Sequence, residues 1–237
     1  MKKTILLIHG WNYRNYTSQT DEKDAWHNRM ALVKKLEETY NIYRLNLPGF
    51  CGQEEPKNTW DLDDYAKYIR KYIEDNKLSV DYILGYSFGG AIAIRYKTKY
   101  KGNEKLILVS PAIIRTQNKS KKFVKTPKLF EKLRNLIRDF YLINIVKTNE
   151  MVYGTKFLRS TYQVIARVDL KDEVKEIPKN DFIIIYGEED EQVNPSNVIS
   201  YLGDEYKNNI KLISGGKHNI GVTNVVGVVN IIDDYVS

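Results

Sequence analysis

The sequence predicts an α/β fold in which about six mostly parallel strands form one sheet with helices on both faces. Short apolar runs alternate with helical segments along the chain, and each apolar run ends in turn residues. Continuous apolar runs suit parallel strands, because helices cover both faces of such a sheet. A chain of 237 residues with 42% hydrophobic side chains is long enough to bury one sizeable core. We therefore expect a doubly wound sheet.

Six apolar runs are the predicted strands, and five periodic segments between them are the predicted helices. The strands, in chain order, are TILLIHG, NIYRLNLPG, DYILGYS, KLILVSP, DFIIIYG and IKLISGG. The helices are predicted at 25–40, 62–76, 88–100, 194–206 and 222–235. Residues 59–61 offer capping side chains to the second helix, and Pro195 suits the first turn of the fourth.

One interval breaks the alternation of strands and helices. Residues 111–166 are predicted to be helical and contain twelve Lys or Arg but three acidic residues, within a chain of net charge +7. An insertion at the carboxyl end of a strand lies where open α/β sheets bind ligands. We predict a core of residues 1–110 and 167–237 and a basic helical lid at 111–166. Its charge is either a solvated helix face or a positive rim for an anionic substrate.

Composition argues against several classes of protein. No apolar run approaches the ~18 residues of a membrane span, and Thr4–Ile8 is too short an apolar stretch for a secretory signal. The single cysteine, Cys51, cannot form an internal disulfide, which fits a reducing compartment, so we expect a cytoplasmic protein. The histidines lack zinc-like spacing and the glycine-rich segment lacks the Lys-Ser/Thr of a phosphate loop. We expect no cofactor, no metal and no nucleic-acid partner.

The segment Gly85-Tyr86-Ser87-Phe88-Gly89 fits the G-x-S-x-G pattern of a nucleophile elbow. In such an elbow the serine lies on a tight turn between a strand and a helix, and flanking glycines let the two elements pass closely. The short pattern also arises by chance. A serine hydroxyl is a weak nucleophile that needs a base oriented by an acid, so the rest of the sequence has to supply both.

His218 and Asp190 are the candidate base and acid. Each follows a predicted strand, so both are expected at the same edge of the sheet as Ser87. Asp190 lies among other carboxylates, and a solvated acidic turn is the alternative interpretation of any of them. The other candidate acids are Glu188, Glu189, Glu191, Asp169 and Glu131. Of the remaining histidines, His9 is expected to brace its loop and His27 to be a surface or packing residue.

Taken together, these segments resemble the α/β-hydrolase superfamily over nearly the whole chain. LLIHGW resembles its HG loop, LNLPGFCGQ its D-x-P-G-x-G-x-S segment, LGYSFGGAIA its elbow, GEEDEQV its acid loop and GGKHN its histidine loop. The resemblance implies the nucleophile–acid–base order Ser87, Asp190, His218. It also implies an oxyanion hole made by the backbone N–H groups of Trp11 and Phe88, because two fixed donors stabilise the charge on a tetrahedral intermediate.

The resemblance also implies which residues support the site, and it has two departures. Residues expected to support the loops and the elbow are His9, Gly10, Gly85 and Gly89. Asn46 stands where the family often has Asp, and Gln53 where it often has Ser; these positions usually support a loop. The family's usual first two antiparallel strands are not recognisable, so the sheet is expected to be a reduced form of the fold.

The implied function is a serine hydrolase that cleaves an ester or thioester of a small or acyl substrate through an acyl-enzyme. The lid would receive the acyl group. A peptidase, a C–C bond lyase or hydrolase, and a non-catalytic binding protein of the same fold stay open. Aminopeptidases of the family hold the substrate amine with acidic lid residues; this insertion has only three and is strongly basic, which argues against a peptidase. The elbow of the menaquinone-pathway synthase typically continues with Arg where this chain has Ala91, which argues against a C–C lyase of that kind.

Overall fold

A computed structural model describes residues 2–114 and 148–237. Its strands are β1 Thr4–Ile8, β2 Asn41–Leu45, β3 Tyr82–Tyr86, β4 Lys105–Val109, β5 Phe182–Gly187 and β6 Ile210–Ile213. They form one sheet in the order β2-β1-β3-β4-β5-β6, and every neighbouring pair is parallel. The predicted α/β fold with a sheet of about six parallel strands is confirmed.

The helices of the described ranges are α1 Met30–Thr39, α2 Leu62–Asp75, α3 Phe88–Tyr100, α4 Asn149–Tyr153, α5 Lys156–Ile165, α6 Lys171–Glu176, α7 Pro195–Leu202, α8 Ile220–Thr223 and α9 Val225–Val236. Successive strand residues point to opposite faces of the sheet. Leu6 and Ile8 therefore join a buried cluster with α2 and α3, whereas Ile5 and Leu7 join one with α1 and α9. None of these helices has the length and apolar composition needed to cross a bilayer.

Three helix boundaries differ from the prediction. The first helix begins at Met30, because the preceding His27–Arg29 is a 3-10 turn. The fourth ends at Leu202, where Gly203 adopts a φ of +81°. The last predicted helix is two helices, since Asn224 has a non-helical backbone between α8 and α9.

Of the predicted lid, residues 111–114 and 148–166 are described. Its final helix, α5, packs on the core: Leu158 is fully buried against Gly49, and the Thr161 hydroxyl accepts the Trp60 N–H at 3.1 Å. The lysines predicted for a positive rim lie outside the described residues, namely Lys119, Lys121, Lys122 and Lys125. The division into core and lid stays a prediction.

Candidate active site

Ser87 lies in the tight turn between β3 and α3. Its φ of +51° and ψ of −107° are unfavourable for a residue with a side chain, so the turn is strained. The Ser87 N–H donates to the Val109 carbonyl at 2.8 Å, and the Ser87 carbonyl accepts the Gly90 N–H at 3.0 Å. These bonds hold the strained turn and set the direction of the side chain.

Two glycines let α3 begin this close to the strands. A Cβ at Gly89 would overlap the carbonyl oxygen of Ile8 on β1. A Cβ at Gly85 would lie 2.5 Å from the carbonyl oxygen of Gly89, inside van der Waals contact. The elbow therefore needs glycine at both positions for steric reasons.

The structure brings the predicted nucleophile, base and acid together. The Ser87 Oγ lies 3.1 Å from the His218 Nε2, and the His218 Nδ1 lies 2.8 Å from the Asp190 Oδ2. An ionised Asp190 can only accept, so Nδ1 carries a proton and Nε2 is free to accept from Ser87. A hydroxyl, an imidazole and a carboxylate thus form one continuous hydrogen-bonded chain.

Asp190 is buried, and both its carboxylate oxygens accept hydrogen bonds. Its Oδ1 accepts the backbone N–H groups of Gln192 at 2.9 Å and Val193 at 3.0 Å. Burial on its own would raise the pKa of Asp190, but the hydrogen bonds from His218 and these two N–H groups lower it below the usual value. The carboxylate therefore stays ionised beside the imidazole.

The alternative acids do not contact the imidazole in the described chain. Glu188, Glu189 and Glu191 are exposed, and the Glu188 Oε2 accepts the hydroxyl of Ser214 at 3.1 Å. Asp169 instead accepts the Lys171 N–H at 3.0 Å. The remaining alternative, Glu131, lies outside the described residues.

The loop that carries His218 is held by groups that sequence reasoning missed. The Tyr86 hydroxyl donates to the His218 carbonyl at 2.7 Å, and the Ser110 hydroxyl donates to the same carbonyl at 3.2 Å. Arg29 donates to the Asn219 Oδ1 at 3.2 Å. Tyr86 is the last residue of β3, and Ser110 follows the last residue of the neighbouring strand β4. These positions were the one signal in the sequence that placed Tyr86 and Ser110 near the site. Arg29 reaches the loop through tertiary structure alone.

The loop that carries Trp11 lies close to the elbow that carries Phe88. A Cβ at Gly10 would lie 3.3 Å from the Ser87 Cβ, so the loop after β1 closely approaches the elbow. The rings of Trp11 and Phe88 pack edge to face at 5.2 Å. Neither residue's N–H donates to another described residue. The Phe88 N–H also opens α3, whose dipole adds positive potential there.

His9 links two loops and stays neutral. Its Nδ1 lies 2.9 Å from the Gly10 carbonyl, and its Nε2 lies 3.0 Å from the Leu47 nitrogen, so Nδ1 donates and Nε2 accepts. Burial lowers its pKa to about 4. Asn46 holds the second loop, because its Oδ1 accepts the Ala25 N–H at 3.0 Å. His27 instead contacts the carbonyl of Asp24 at 2.9 Å, away from this chain of contacts.

An open cleft of about 380 Å³ lies over Ser87 and His218. Its walls combine aromatic and charged side chains, including Trp11, Tyr13, Arg14, Arg29 and Glu150. Across the described ranges, no group of three or more His, Cys, Asp or Glu side chains is arranged to hold a metal ion. Cys51 is buried, and burial raises the pKa of its thiol to about 11.

A family model described as the alpha/beta hydrolase family matches residues 5–182, which is well over half of the 237 residues. The chain belongs to the alpha/beta hydrolase family. The resemblance noted in the sequence motifs is confirmed. Ser87 falls within the matched range, whereas Asp190 and His218 follow it.

Known proteins similar to this alpha/beta hydrolase do not share one named activity. The AB hydrolase superfamily protein YisY of Bacillus subtilis (strain 168) is 30% identical over 114 residues, which are 46% of this chain and 38% of YisY. The chain thus spans less than half the length of that curated relative. In solved structures, the meta-cleavage product hydrolase CumD of Pseudomonas fluorescens IP01 has a TM-score of 0.65 and 18% identity, covering 98% of this chain and 90% of CumD. An esterase of Exiguobacterium antarcticum has a TM-score of 0.62 and 18% identity, covering 99% of this chain and 92% of the esterase.

Proposed function

We propose that this alpha/beta hydrolase is a serine hydrolase that cleaves an ester or thioester through an acyl-enzyme intermediate. The observation that supports the proposal most directly is the chain of contacts from Ser87 through His218 to Asp190, at 3.1 and 2.8 Å. Each group has the role its chemistry allows: a hydroxyl to attack, an imidazole to move the proton and a carboxylate to orient the imidazole.

In the first half-reaction, the Ser87 Oγ attacks the substrate carbonyl while its proton passes to the His218 Nε2. Asp190 stabilises the imidazolium, and the N–H groups of Trp11 and Phe88 bind the oxyanion. The protonated imidazole then gives its proton to the leaving alcohol or thiol, and the acyl group stays on Ser87.

In the second half-reaction, water replaces the leaving group. The His218 Nε2 takes a proton from the water, whose oxygen attacks the acyl-enzyme, and the same proton returns to the Ser87 Oγ as the acid departs. No further acid or base is required, because the His218 Nε2 accepts one proton and gives up one proton in each half-reaction.

We propose that the substrate is a small molecule. The excess of basic residues in the predicted lid, 111–166, favours an anionic substrate. Lys119, Lys121, Lys122 and Lys125 would attract such a substrate over a range that salt limits to about 8–10 Å. We propose a cytoplasmic location, because a single buried cysteine suits a reducing compartment.

An aminopeptidase is the second candidate, and Glu150 is the residue that favours it. This carboxylate lines the cleft beside Ser87 and could hold a free amine. A peptidase would cleave alanine p-nitroanilide in preference to p-nitrophenyl acetate, and Glu150→Gln would remove that preference. An esterase would show the opposite order, and the variant would leave it unchanged.

The proposed function is tested with a fluorophosphonate probe and a panel of p-nitrophenyl esters and acyl-CoA thioesters. We expect covalent labelling at Ser87, located by peptide mass spectrometry, and release of p-nitrophenol or free CoA. A protein that is folded, unlabelled and inactive on the whole panel would contradict the proposal and favour a non-catalytic binding protein.

A further inference from the structure

The cleft beside Ser87 contains an arginine stacked on the elbow. Arg29 immediately precedes α1 and lines the same cleft as Ser87 and His218. Its Cζ lies 4.2 Å from the centroid of the Tyr86 ring, so the guanidinium covers the residue before the nucleophile. This contact fixes a positive charge close to the reacting groups.

Arg29 has no anionic partner in the described chain. Its Nη1 donates to the Asn28 Oδ1 at 2.9 Å, its Nη2 donates to the Asn219 Oδ1 at 3.2 Å, and its Nε is buried without an acceptor there. Some other arginines do have such a partner: Arg44 lies 3.2 Å from a carboxylate oxygen of Asp24, for example. The charge of Arg29 is thus balanced only by neutral amides and an aromatic ring.

The surroundings of Arg29 suit a carboxylate. A guanidinium stays charged at any physiological pH, and its planar fork matches a carboxylate with two parallel hydrogen bonds. Because the Oδ1 atoms of Asn28 and Asn219 face Arg29, each amide keeps an NH₂ group as a further donor. Glu150, the one carboxylate among the described residues of the cleft wall, makes no ion pair with Arg29.

We propose that Arg29, with Asn28 and Asn219, forms a carboxylate-binding subsite, and that the ester cleaved at Ser87 carries this carboxylate on its leaving group. The second part rests on the proposed hydrolase function. Asn219 directly follows His218, and His218 is the group that protonates the leaving group. The subsite therefore lies on the leaving-group side of Ser87.

The kinetic test compares 3- and 4-acetoxybenzoate with their methyl esters, following phenol release and dividing each rate by the uncatalysed one. Wild type is expected to prefer the carboxylates in kcat/KM. Arg29→Gln should lower kcat/KM at least tenfold more for the carboxylates than for the methyl esters, in line with a lost charge-assisted hydrogen bond. Arg70→Gln, which changes an arginine paired with Glu74 on α2, is the matched control.

Two kinetic outcomes would overturn the proposal. If wild type cleaved the acids and the methyl esters with equal kcat/KM, the proposed subsite would be rejected. A loss of the same size for both substrates in Arg29→Gln would mean that Arg29 only positions the His218 loop. Arg29→Lys keeps the charge without the fork and should lose part of the preference, so it carries the test if Arg29→Gln does not fold.

A binding test separates the subsite from the proposed catalysis. Thermal unfolding is measured with 3-hydroxybenzoate and with 3-hydroxybenzamide, in wild type and in Arg29→Gln. We expect the acid alone to raise the Tm of wild type, with the effect lost in the variant. If the protein showed that result but had no esterase activity, the proposed subsite would be supported and the proposed hydrolase function would be rejected. Equal shifts with acid and amide would reject the subsite even in an active esterase.

Discussion

The hydroxyl of Tyr86 donates to the backbone carbonyl of His218 at 2.7 Å. This bond joins the residue before the proposed nucleophile to the loop that carries the proposed base, 132 positions away in the sequence. Tyr86 is itself buried and covered by Arg29. The elbow and the histidine loop are therefore held as one unit, which fixes the distance between Ser87 and His218 before any substrate binds.

Ser87→Ala should abolish labelling by a fluorophosphonate and reduce kcat by roughly 10⁴-fold or more, because only the Oγ can form the acyl-enzyme. Alanine leaves the backbone bonds of the turn in place, so the Tm should change little. Labelling is followed by peptide mass spectrometry. Persistent labelling of the variant at another serine would reject Ser87 as the nucleophile.

His218→Ala should lower kcat by several orders of magnitude, comparable to Ser87→Ala, since groups that act as a unit are lost together. His27→Ala is the matched control and should be nearly silent, because the His27 ring bonds to the carbonyl of Asp24 and not to Ser87 or Asp190. Steady-state kinetics on one ester measures both. If His27→Ala caused the larger loss, the assignment of His218 as the base would be wrong.

Asp190→Asn should keep the fold and lower kcat roughly 10³–10⁴-fold, because an amide can hold the imidazole in the wrong tautomer. Glu188→Gln, Glu189→Gln and Glu191→Gln are the controls, and their exposed side chains predict little change. A control with a larger loss than Asp190→Asn would move the acid to that position.

His9 should make stability depend on pH. Burial lowers its pKa to about 4 from 6.5, so between these values the unfolded chain binds a proton that the folded chain does not. Folding stability from this group is full above pH 6.5 and falls by roughly 3 kcal/mol as the pH drops to 4.

His9→Gln tests this dependence by urea unfolding at pH 7.0, 5.5 and 4.5. The variant should be less stable than wild type at pH 7, because it loses a well-fitted link between two loops. The gap should then narrow as the pH falls, since glutamine does not titrate. Parallel stability curves for the two proteins would contradict a buried, neutral His9.

The strands and the elbow were readable from the sequence because their signals are local. Apolar runs that end in turn residues marked all six strands, and the Gly-x-Ser-x-Gly spacing marked a turn that sterics require. Helix starts were less readable: the helix predicted from residue 25 begins at Met30, because His27–Arg29 forms a 3-10 turn.

The candidate base and acid were predictable from their positions after strands, since parallel strands end at one edge. Arg29 was not, because its sequence neighbours give no sign that it stacks on Tyr86 or bonds to Asn219. Such contacts depend on how α1 and the histidine loop pack, and no local pattern encodes that packing.

The lack of space for a side chain at Gly89 limits which substitutions this site tolerates. A Cβ there would overlap the Ile8 carbonyl, and that oxygen belongs to β1, which is paired on both sides and cannot move without disturbing β2 and β3. After random mutagenesis and selection for activity, only glycine codons should thus be recovered at position 89. At Ala91, two residues further along the same helix, small substitutions should be recovered, so tolerance to mutation changes sharply within a single helical turn.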